Sequence, residues 1–169
     1  MMATIFIIMG VSGCGKTTVG SALAARLGVP FYDGDDFHPP QNVAKMAGGI
    51  PLTDDDRYPW LARLHELISE HLMRGETAVL ACSALKKQYR NQLRQGSDAH
   101  IQMVYLQGSP NLIRQRLQTR PAHYMKANML QSQFAALQPP SPQNTLILNA
   151  EQTIEDIVAQ IIRFSQTSI

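Results

Sequence analysis

A glycine-rich segment near the start of the chain has the composition of a phosphate-binding loop. Residues 10–17 fit the pattern G-x-x-x-x-G-K-[ST]. Its glycines let backbone N–H groups turn towards phosphate oxygens, and the start of the next helix adds further donors. We expect Lys16 to reach the β- and γ-phosphates of a nucleotide and the Thr17 hydroxyl to bind Mg²⁺. The predicted nucleotide-binding residues of this segment are Gly10, Val11, Ser12, Gly13, Cys14, Gly15, Lys16, Thr17 and Thr18.

The residues on either side support this interpretation. An apolar run, Ile5–Met9, precedes the loop, and a helix-like run follows it to Leu27. A strand, a loop and a helix in this order are what the motif requires. The alternative is an ordinary glycine-rich turn. The motif predicts nucleotide binding but does not say what is done with the nucleotide.

Three carboxylates follow the next short strand, predicted at 30–32. They lie in the segment Asp33-Gly34-Asp35-Asp36. Ligands of open α/β sheets bind at the carboxyl ends of the strands, so these acids are expected near the γ-phosphate. A kinase needs a carboxylate to accept the proton of the substrate hydroxyl, and we assign this role to Asp35. Asp33 is predicted to help hold Mg²⁺. The alternative is a solvated turn.

Several basic side chains are candidates for binding the acceptor substrate. Arg57 follows three aspartates, and its guanidinium could bind a carboxylate with two parallel hydrogen bonds. A salt bridge to a neighbouring aspartate is the alternative. Lys86 and Arg90 come after the third predicted strand and open a helix, where positive charge opposes the dipole. They either face a ligand or lie on a solvated surface.

Residues 118–130 form a basic segment without a regular apolar period. Between two helices, such a segment is typical of a lid over bound phosphates. Arg116 or Arg120 is expected to meet the ATP phosphates or the adenine, with Arg120 predicted to neutralise charge on the phosphoryl group during transfer. An ordinary surface loop is the alternative.

Length and composition indicate one globular domain. The chain has 169 residues, 44% of them hydrophobic, and a formal net charge of only +2. This charge gives no electrostatic case for nucleic acid as a partner. The apolar run at the N-terminus is too short for a signal peptide or membrane span, and Cys14 and Cys82 are expected to be free thiols. We therefore expect a cytoplasmic protein that does not bind membranes.

Strand-like and helix-like segments alternate along the chain. The strands are predicted at 4–9, 30–32, 77–82, 101–106 and 145–148, with helices between them. This alternation predicts an α/β fold in which a parallel sheet carries helices on both faces. Thr53 and Asp56 resemble a capping box at the start of the longest helix. The periodicity does not give the strand order.

Taken together, these motifs resemble gluconate kinase, the small phosphate-loop type related to shikimate kinase. The resemblance covers nearly the whole chain. Besides the phosphate loop, it rests on Asp33-Gly34-Asp35 with His38-Pro39, on Asn42 with Lys45-Met46, on the blocks 49–61 and 82–90, on His123-Tyr124-Met125, and on Ser132-Gln133-Phe134. From their composition alone, Asn42 and Lys45 could equally be solvated. The family usually has a glycine before the lid histidine, and Ala122 stands there, which favours slower lid closure.

The resemblance implies ATP-dependent phosphorylation of D-gluconate at its 6-hydroxyl. It also implies one domain spanning 1–169, a five-stranded sheet in the order 2-3-1-4-5, a mobile lid at about 118–130, and commonly a homodimer. The segment at about 33–61 would bind the substrate. The predicted substrate-binding residues are Asp35, His38, Lys45, Arg57, Lys86, Arg90 and His123.

Two other functions remain open from the sequence. One is a different small-molecule kinase, acting on shikimate, which also carries a carboxylate, or on a nucleoside monophosphate. The other is a nucleotide-binding regulator without turnover. The intact set of Lys16, Thr17, Asp33 and Asp35 argues against the regulator.

Overall fold

Five parallel strands form one sheet at the centre of the fold. The computed structural model describes residues 3–119 and 127–167. Its strands are β1 (Ile5–Met9), β2 (Phe31–Asp33), β3 (Ala78–Ala81), β4 (Ile101–Gln107) and β5 (Thr145–Asn149). They pair in the order β2-β3-β1-β4-β5. This confirms the strand order that the resemblance implied.

Helices connect the strands. They are α1 (Lys16–Leu27), α2 (Pro40–Ala47), α3 (Asp54–Met73), α4 (Lys87–Arg94), α5 (Pro110–Gln118), α6 (Ala127–Ala136) and α7 (Ile154–Thr167). Short 3₁₀ turns occupy Gly34–Phe37 and Asp98–His100.

Both faces of the central strand are covered, which explains its uninterrupted apolar sequence. Phe6 and Ile8 face a cluster that includes residues of α1 and α7. Ile5, Ile7 and Met9 face a second cluster that includes residues of α3. Ile7 and Ile8 are fully buried, and each contributes about 1.5–3 kcal/mol through removal of its side chain from water. The two-faced burial fixes β1, and therefore the phosphate loop that follows it.

The start of α3 has the predicted capping box. Asp56 N donates to Thr53 Oγ1 at 3.1 Å, and Thr53 N donates to Asp56 Oδ2 at 2.9 Å. These bonds satisfy two backbone donors that a helix start otherwise leaves without partners. Among the described residues, no helix has both the length and the apolar character that crossing a membrane requires.

Candidate active site

A cleft of about 730 Å³ opens at the carboxyl end of the sheet. The phosphate loop forms its floor, the segment after β2 and the start of α3 form one wall, and α6 contributes to the other. Because β1, β2 and β3 are parallel, their carboxyl ends meet at this edge. This is where ligands of open α/β sheets bind. The described residues from the predicted site that line the cleft include Lys16, Thr17, Asp33, Asp35, His38 and Arg57.

The phosphate loop depends on glycine where the backbone turns. Gly10 has φ +147°, and a Cβ there would lie 2.6 Å from Cys14 Sγ and 2.9 Å from Leu106 O. Gly15 has φ +102° and stands directly before α1. Lys16 Nζ donates to Val11 O at 3.3 Å, so its side chain folds back across the loop. Cys14 and Cys82 are both free and buried, as expected.

Thr17 and Asp33 come together at the front of the loop. The Thr17 hydroxyl donates to Asp33 Oδ2 at 3.3 Å, and Asp35 N donates to Asp33 Oδ1 at 3.0 Å. Oxygen donors of this kind fit Mg²⁺, which is usually held by one or two protein groups together with phosphates and water. Residues 3–119 and 127–167 contain no group of three or more histidine, cysteine or acidic side chains placed to hold a metal. The two oxygens therefore suit a nucleotide-bound Mg²⁺ better than a metal held by protein alone.

Asp35 projects into the cleft two residues after Asp33. Partial removal of its carboxyl from water raises the pKa of Asp35, and the positive charge of Lys16 opposes this rise. Water still reaches 72% of the side chain, which limits the effect of burial. An accessible carboxylate at this place can accept a hydrogen bond, or a proton, from a substrate hydroxyl.

His38 is held flat against the wall of the cleft. Its side chain is 4% exposed, and its ring stacks on Trp60 with centroids 4.1 Å apart. Trp60 Nε1 donates to Gly34 O at 2.7 Å, which fixes the indole. Burial first, and then the charge of Arg57, lower the pKa of His38 to about 4. The imidazole is therefore neutral at physiological pH.

Arg57 faces the cleft and has no carboxylate partner among residues 3–119 and 127–167. Its Nη1 donates to Leu52 O at 2.9 Å and to the Tyr89 hydroxyl at 3.0 Å. Within the described part of the chain, Arg57 forms no ion pair, so the alternative of a local salt bridge to an aspartate is not observed. The guanidinium is anchored on one side and can bind an anion with its remaining N–H groups.

Lys45 and Lys86 were predicted to bind substrate, and the structure places them elsewhere. Lys45 Nζ lies 2.8 Å from Asp56 Oδ2, and Lys86 Nζ lies 2.8 Å from Asp54 Oδ1. Neither lysine lines the cleft. Hydrogen bonds from Lys86 to Asp54 and from Lys45 to Asp56 are the main reason that the pKa of each carboxyl falls to about 2. Both lysines hold the start of α3.

Arg90 is a structural residue and not a ligand-facing one. It is 4% exposed and donates from Nη1 to Ala84 O at 2.7 Å and from Nη2 to Gln138 O at 2.8 Å. Ala84 has φ +45°, a conformation that L residues rarely adopt. Arg90 therefore stabilises the turn after β3, and the structure does not bring it to the cleft where the sequence analysis predicted that it binds substrate.

Arg116 lies beside the phosphate loop. Its Nη1 donates to Cys14 O at 3.0 Å and its Nη2 to Ala150 O at 2.5 Å. Arg116 is not among the residues that line the cleft, and its contact with the nucleotide stays a prediction. Arg120, Ala122 and His123, and with them most of the predicted lid, lie outside the described residues.

Two polar residues near the cleft were not assigned a role from the sequence. Ser12 N donates to Gln133 Oε1 at 2.7 Å, and Gln133 Nε2 donates to Ser12 Oγ at 3.2 Å, so α6 is tied to the phosphate loop. Asn42 is 1% exposed, which excludes the solvated alternative. Both residues belong to motifs on which the family resemblance rests, and that was the available signal.

A phosphate loop at the end of the central strand, two carboxylates after β2 and an arginine that faces the cleft define a small-molecule kinase of the phosphate-loop class. Such a protein is an ATP-dependent phosphotransferase. A family model described as "Shikimate kinase" matches residues 12–166.

The chain belongs to the gluconokinase family within this class. It is 47% identical to a gluconokinase of Gluconobacter oxydans, over 95% of this chain and 90% of the relative. It is 44% identical to a probable gluconokinase of Mus musculus, over 94% of this chain and 95% of the relative. A solved gluconokinase from Sinorhizobium meliloti superposes with a TM-score of 0.85 at 40% identity, covering 98% of this chain and 95% of that one.

Proposed function

We propose that this chain transfers the γ-phosphoryl group of Mg-ATP to the 6-hydroxyl of D-gluconate, giving 6-phosphogluconate and ADP. The observation that carries the proposal is Arg57, a guanidinium in the cleft with no carboxylate partner among the described residues. The relatives named gluconokinase supply the identity of the acid. A single-domain homodimer in the cytoplasm is part of the same proposal and rests on the family resemblance.

The phosphate loop would hold the nucleotide through its backbone N–H groups. Lys16 and the lid residue Arg120 would neutralise charge on the transferring phosphoryl group. Thr17 and Asp33 would hold Mg²⁺, which when bound neutralises the β- and γ-phosphate oxygens. Each of these residues acts on charge or position, because phosphoryl transfer needs little covalent help from the protein.

Asp35 would accept the proton of the 6-hydroxyl as that oxygen attacks phosphorus. Arg57 would bind the carboxylate at the other end of the sugar acid through its free N–H groups, with His38 completing the wall. The linear acid then spans the cleft between an anion clamp and a general base. Neutral sugars should bind poorly because they leave the guanidinium unpaired.

The test is release of ADP from Mg-ATP with D-gluconate, shikimate, glucose and nucleoside monophosphates. We expect turnover with D-gluconate alone. Turnover on shikimate, whose carboxylate Arg57 would also accept, would overturn the assigned acceptor but keep the class. Absence of turnover with every acid would favour a regulator.

A second measurement tests the clamp itself. Arg57→Ala should raise KM for gluconate far more than KM for glucose, whereas Arg163→Ala, at an exposed position of α7, should change neither. Equal effects of Arg57→Ala on both sugars would show that Arg57 does not bind the carboxylate.

A further inference from the structure

A buried amide side chain lies behind the wall of the cleft. Asn42, on α2, is 1% exposed. Its Nδ2 donates to Asp56 O at 2.8 Å and lies 3.2 Å from His38 Nδ1. One amide nitrogen therefore contacts two partners, one on the start of α3 and one that lines the cleft.

The Asp56 carbonyl fixes the direction in which the Asn42 amide points. A carbonyl oxygen only accepts hydrogen bonds, so the amide nitrogen and not its oxygen must face it. If the amide were reversed, two oxygens would meet at 2.8 Å. The capping box with Thr53 holds the backbone of Asp56 in place. The orientation of Asn42 is thus set by the packing of α2 against α3.

This orientation selects one tautomer of His38. The amide nitrogen carries two hydrogens, and the second one points at His38 Nδ1, which must therefore be an acceptor. The proton of the neutral ring then lies on Nε2. Burial and the charge of Arg57 keep the ring neutral by lowering its pKa to about 4. The stacked Trp60 ring fixes the plane in which the Nε2–H bond lies.

The Nε2–H group faces the general base. Nε2 lies 3.9 Å from Asp35 Oδ1, which is too long for a hydrogen bond. No other acceptor for Nε2 is found among residues 3–119 and 127–167. Both side chains line the cleft. A hydroxyl oxygen bound next to both can accept the hydrogen bond from His38 and donate its own proton to Asp35.

We propose that Asn42 is a positioning residue that holds His38 as its Nε2–H tautomer, and that His38 donates this hydrogen bond to the acceptor hydroxyl. The proposal rests on the proposed function, because that hydroxyl is the phosphoryl acceptor. A bond forms between the hydroxyl oxygen and the γ-phosphorus, and the bond from phosphorus to the β–γ bridging oxygen breaks. The hydroxyl proton passes to Asp35, ADP leaves with the electron pair, and His38 keeps its proton throughout.

The tautomer can be measured directly by NMR of the full chain labelled with heavy-nitrogen histidine. His38→Gln identifies the His38 signals by their loss. In the wild type we expect a protonated Nε2 and an unprotonated Nδ1. Asn42→Ala should release part of the population to the other tautomer. Asn42→Asp should place the proton on Nδ1, since a carboxylate only accepts. Asn91→Ala, at an exposed position of α4, is the matched control.

Kinetics in two backgrounds separate positioning from structural support. Asn42→Ala should lower kcat about 3- to 10-fold, the range expected for one misdirected neutral hydrogen bond. In a His38→Leu background the same change should have almost no effect, because a leucine side chain makes no hydrogen bond that Asn42 could direct. An equal loss in both backgrounds would show a structural role and overturn the proposal.

A protonated Nδ1 in the wild type would also overturn it, and so would an unchanged tautomer in Asn42→Ala. If both Asn42 variants fail to fold, a comparison of kcat between His38→Gln and His38→Leu tests whether a hydrogen-bond donor at position 38 raises the rate. Equal kcat values would show that His38 does not act by donating a hydrogen bond. The NMR measurement is made without any phosphoryl acceptor substrate. If the enzyme phosphorylates a substrate other than D-gluconate, the proposed function fails, and the kinetic comparison of the two backgrounds is made with that substrate.

Discussion

The Arg57 guanidinium donates a hydrogen bond to the Tyr89 hydroxyl at 3.0 Å. That hydroxyl in turn donates to Asp54, which is also paired with Lys86. A continuous set of contacts therefore runs from the cleft through Tyr89 of α4 to the first residue of α3. Lys86 contributes to the site through this network, although it does not line the cleft.

Replacement of Tyr89 by phenylalanine should weaken substrate binding. The change removes one of the two acceptors that hold Arg57 Nη1. Hydrogen bonds to charged groups contribute about 1.5–3 kcal/mol, so we expect KM for gluconate to rise about 10-fold or more with kcat little changed. Steady-state kinetics of Tyr89→Phe test this. Tyr58→Phe, at a tyrosine that is 66% exposed, is the control and should behave as wild type. A loss of thermal stability with an unchanged KM would contradict the anchoring role.

Removal of the charge of Asp35 should slow the chemical step. Asp35→Asn keeps the shape of the side chain but cannot accept a proton, and loss of a general base costs about 10²–10⁴-fold in rate. We expect this loss in kcat with nucleotide affinity preserved. The neighbouring exposed acid provides the comparison, since Asp36 does not line the cleft and Asp36→Asn should keep its kcat. Near-normal turnover of Asp35→Asn would refute the assignment.

Asp33→Asn should raise the Mg²⁺ concentration needed for half-maximal rate. Asp33 accepts hydrogen bonds from the Thr17 hydroxyl and from Asp35 N, so its charge supports the predicted metal site. Loss of a residue that supports the groups around a metal ion typically lowers metal affinity or activity by about 10–100-fold. Initial rates measured against free Mg²⁺ at fixed ATP give the answer. Asp98→Asn, on the exposed turn before β4, controls for net charge. An unchanged Mg²⁺ dependence would place the metal elsewhere.

The ion pair between Lys45 and Asp56 should stabilise the fold in a defined pH range. Its hydrogen bonds, first from Lys45 and then from Thr53 N, lower the pKa of Asp56 from 3.8 to about 2. Because the folded pKa is depressed, the stabilisation is fully present above pH 3.8 and is lost as the pH falls through about 2. Asp56→Asn should therefore be less stable than wild type at pH 6, and the difference should shrink below pH 4.

Urea unfolding at several pH values measures this difference. Lys45→Met combined with Asp56→Asn completes a double-mutant cycle that isolates the pair. A coupling free energy that stays constant from pH 6 down to the acid transition would contradict the ionic origin of the effect.

Much of the fold was predictable because its signals are local. The apolar run Ile5–Met9, the glycine loop and the box of Thr53 with Asp56 each act through neighbours in sequence, and each was confirmed. The strand order was not in the periodicity, because pairing joins segments far apart in sequence. It came from the family resemblance and agrees with the structure.

The sequence could not distinguish between the basic residues that followed the predicted strands and turns. Arg57, Lys86 and Arg90 were equally good ligand candidates by type, and only Arg57 lines the cleft. Arg90 donates hydrogen bonds to carbonyls of the turn after β3, and Lys86 forms an ion pair with Asp54. A charge can be satisfied by any partner within reach, and which partner that is depends on tertiary packing.

The sequence by itself determined the phosphate loop, the acids that follow β2 and the class of chemistry they support. These depend on residue types at fixed short spacings, which the backbone places together whatever the rest of the chain does. Tertiary structure decided which side chains face the cleft, and it decided the state of His38. The ring is stacked by Trp60 and oriented by Asn42, whose own amide is directed by a carbonyl 14 residues away. The position of this proton depends on contacts between segments that are separate in sequence, so no single segment of the sequence predicts it.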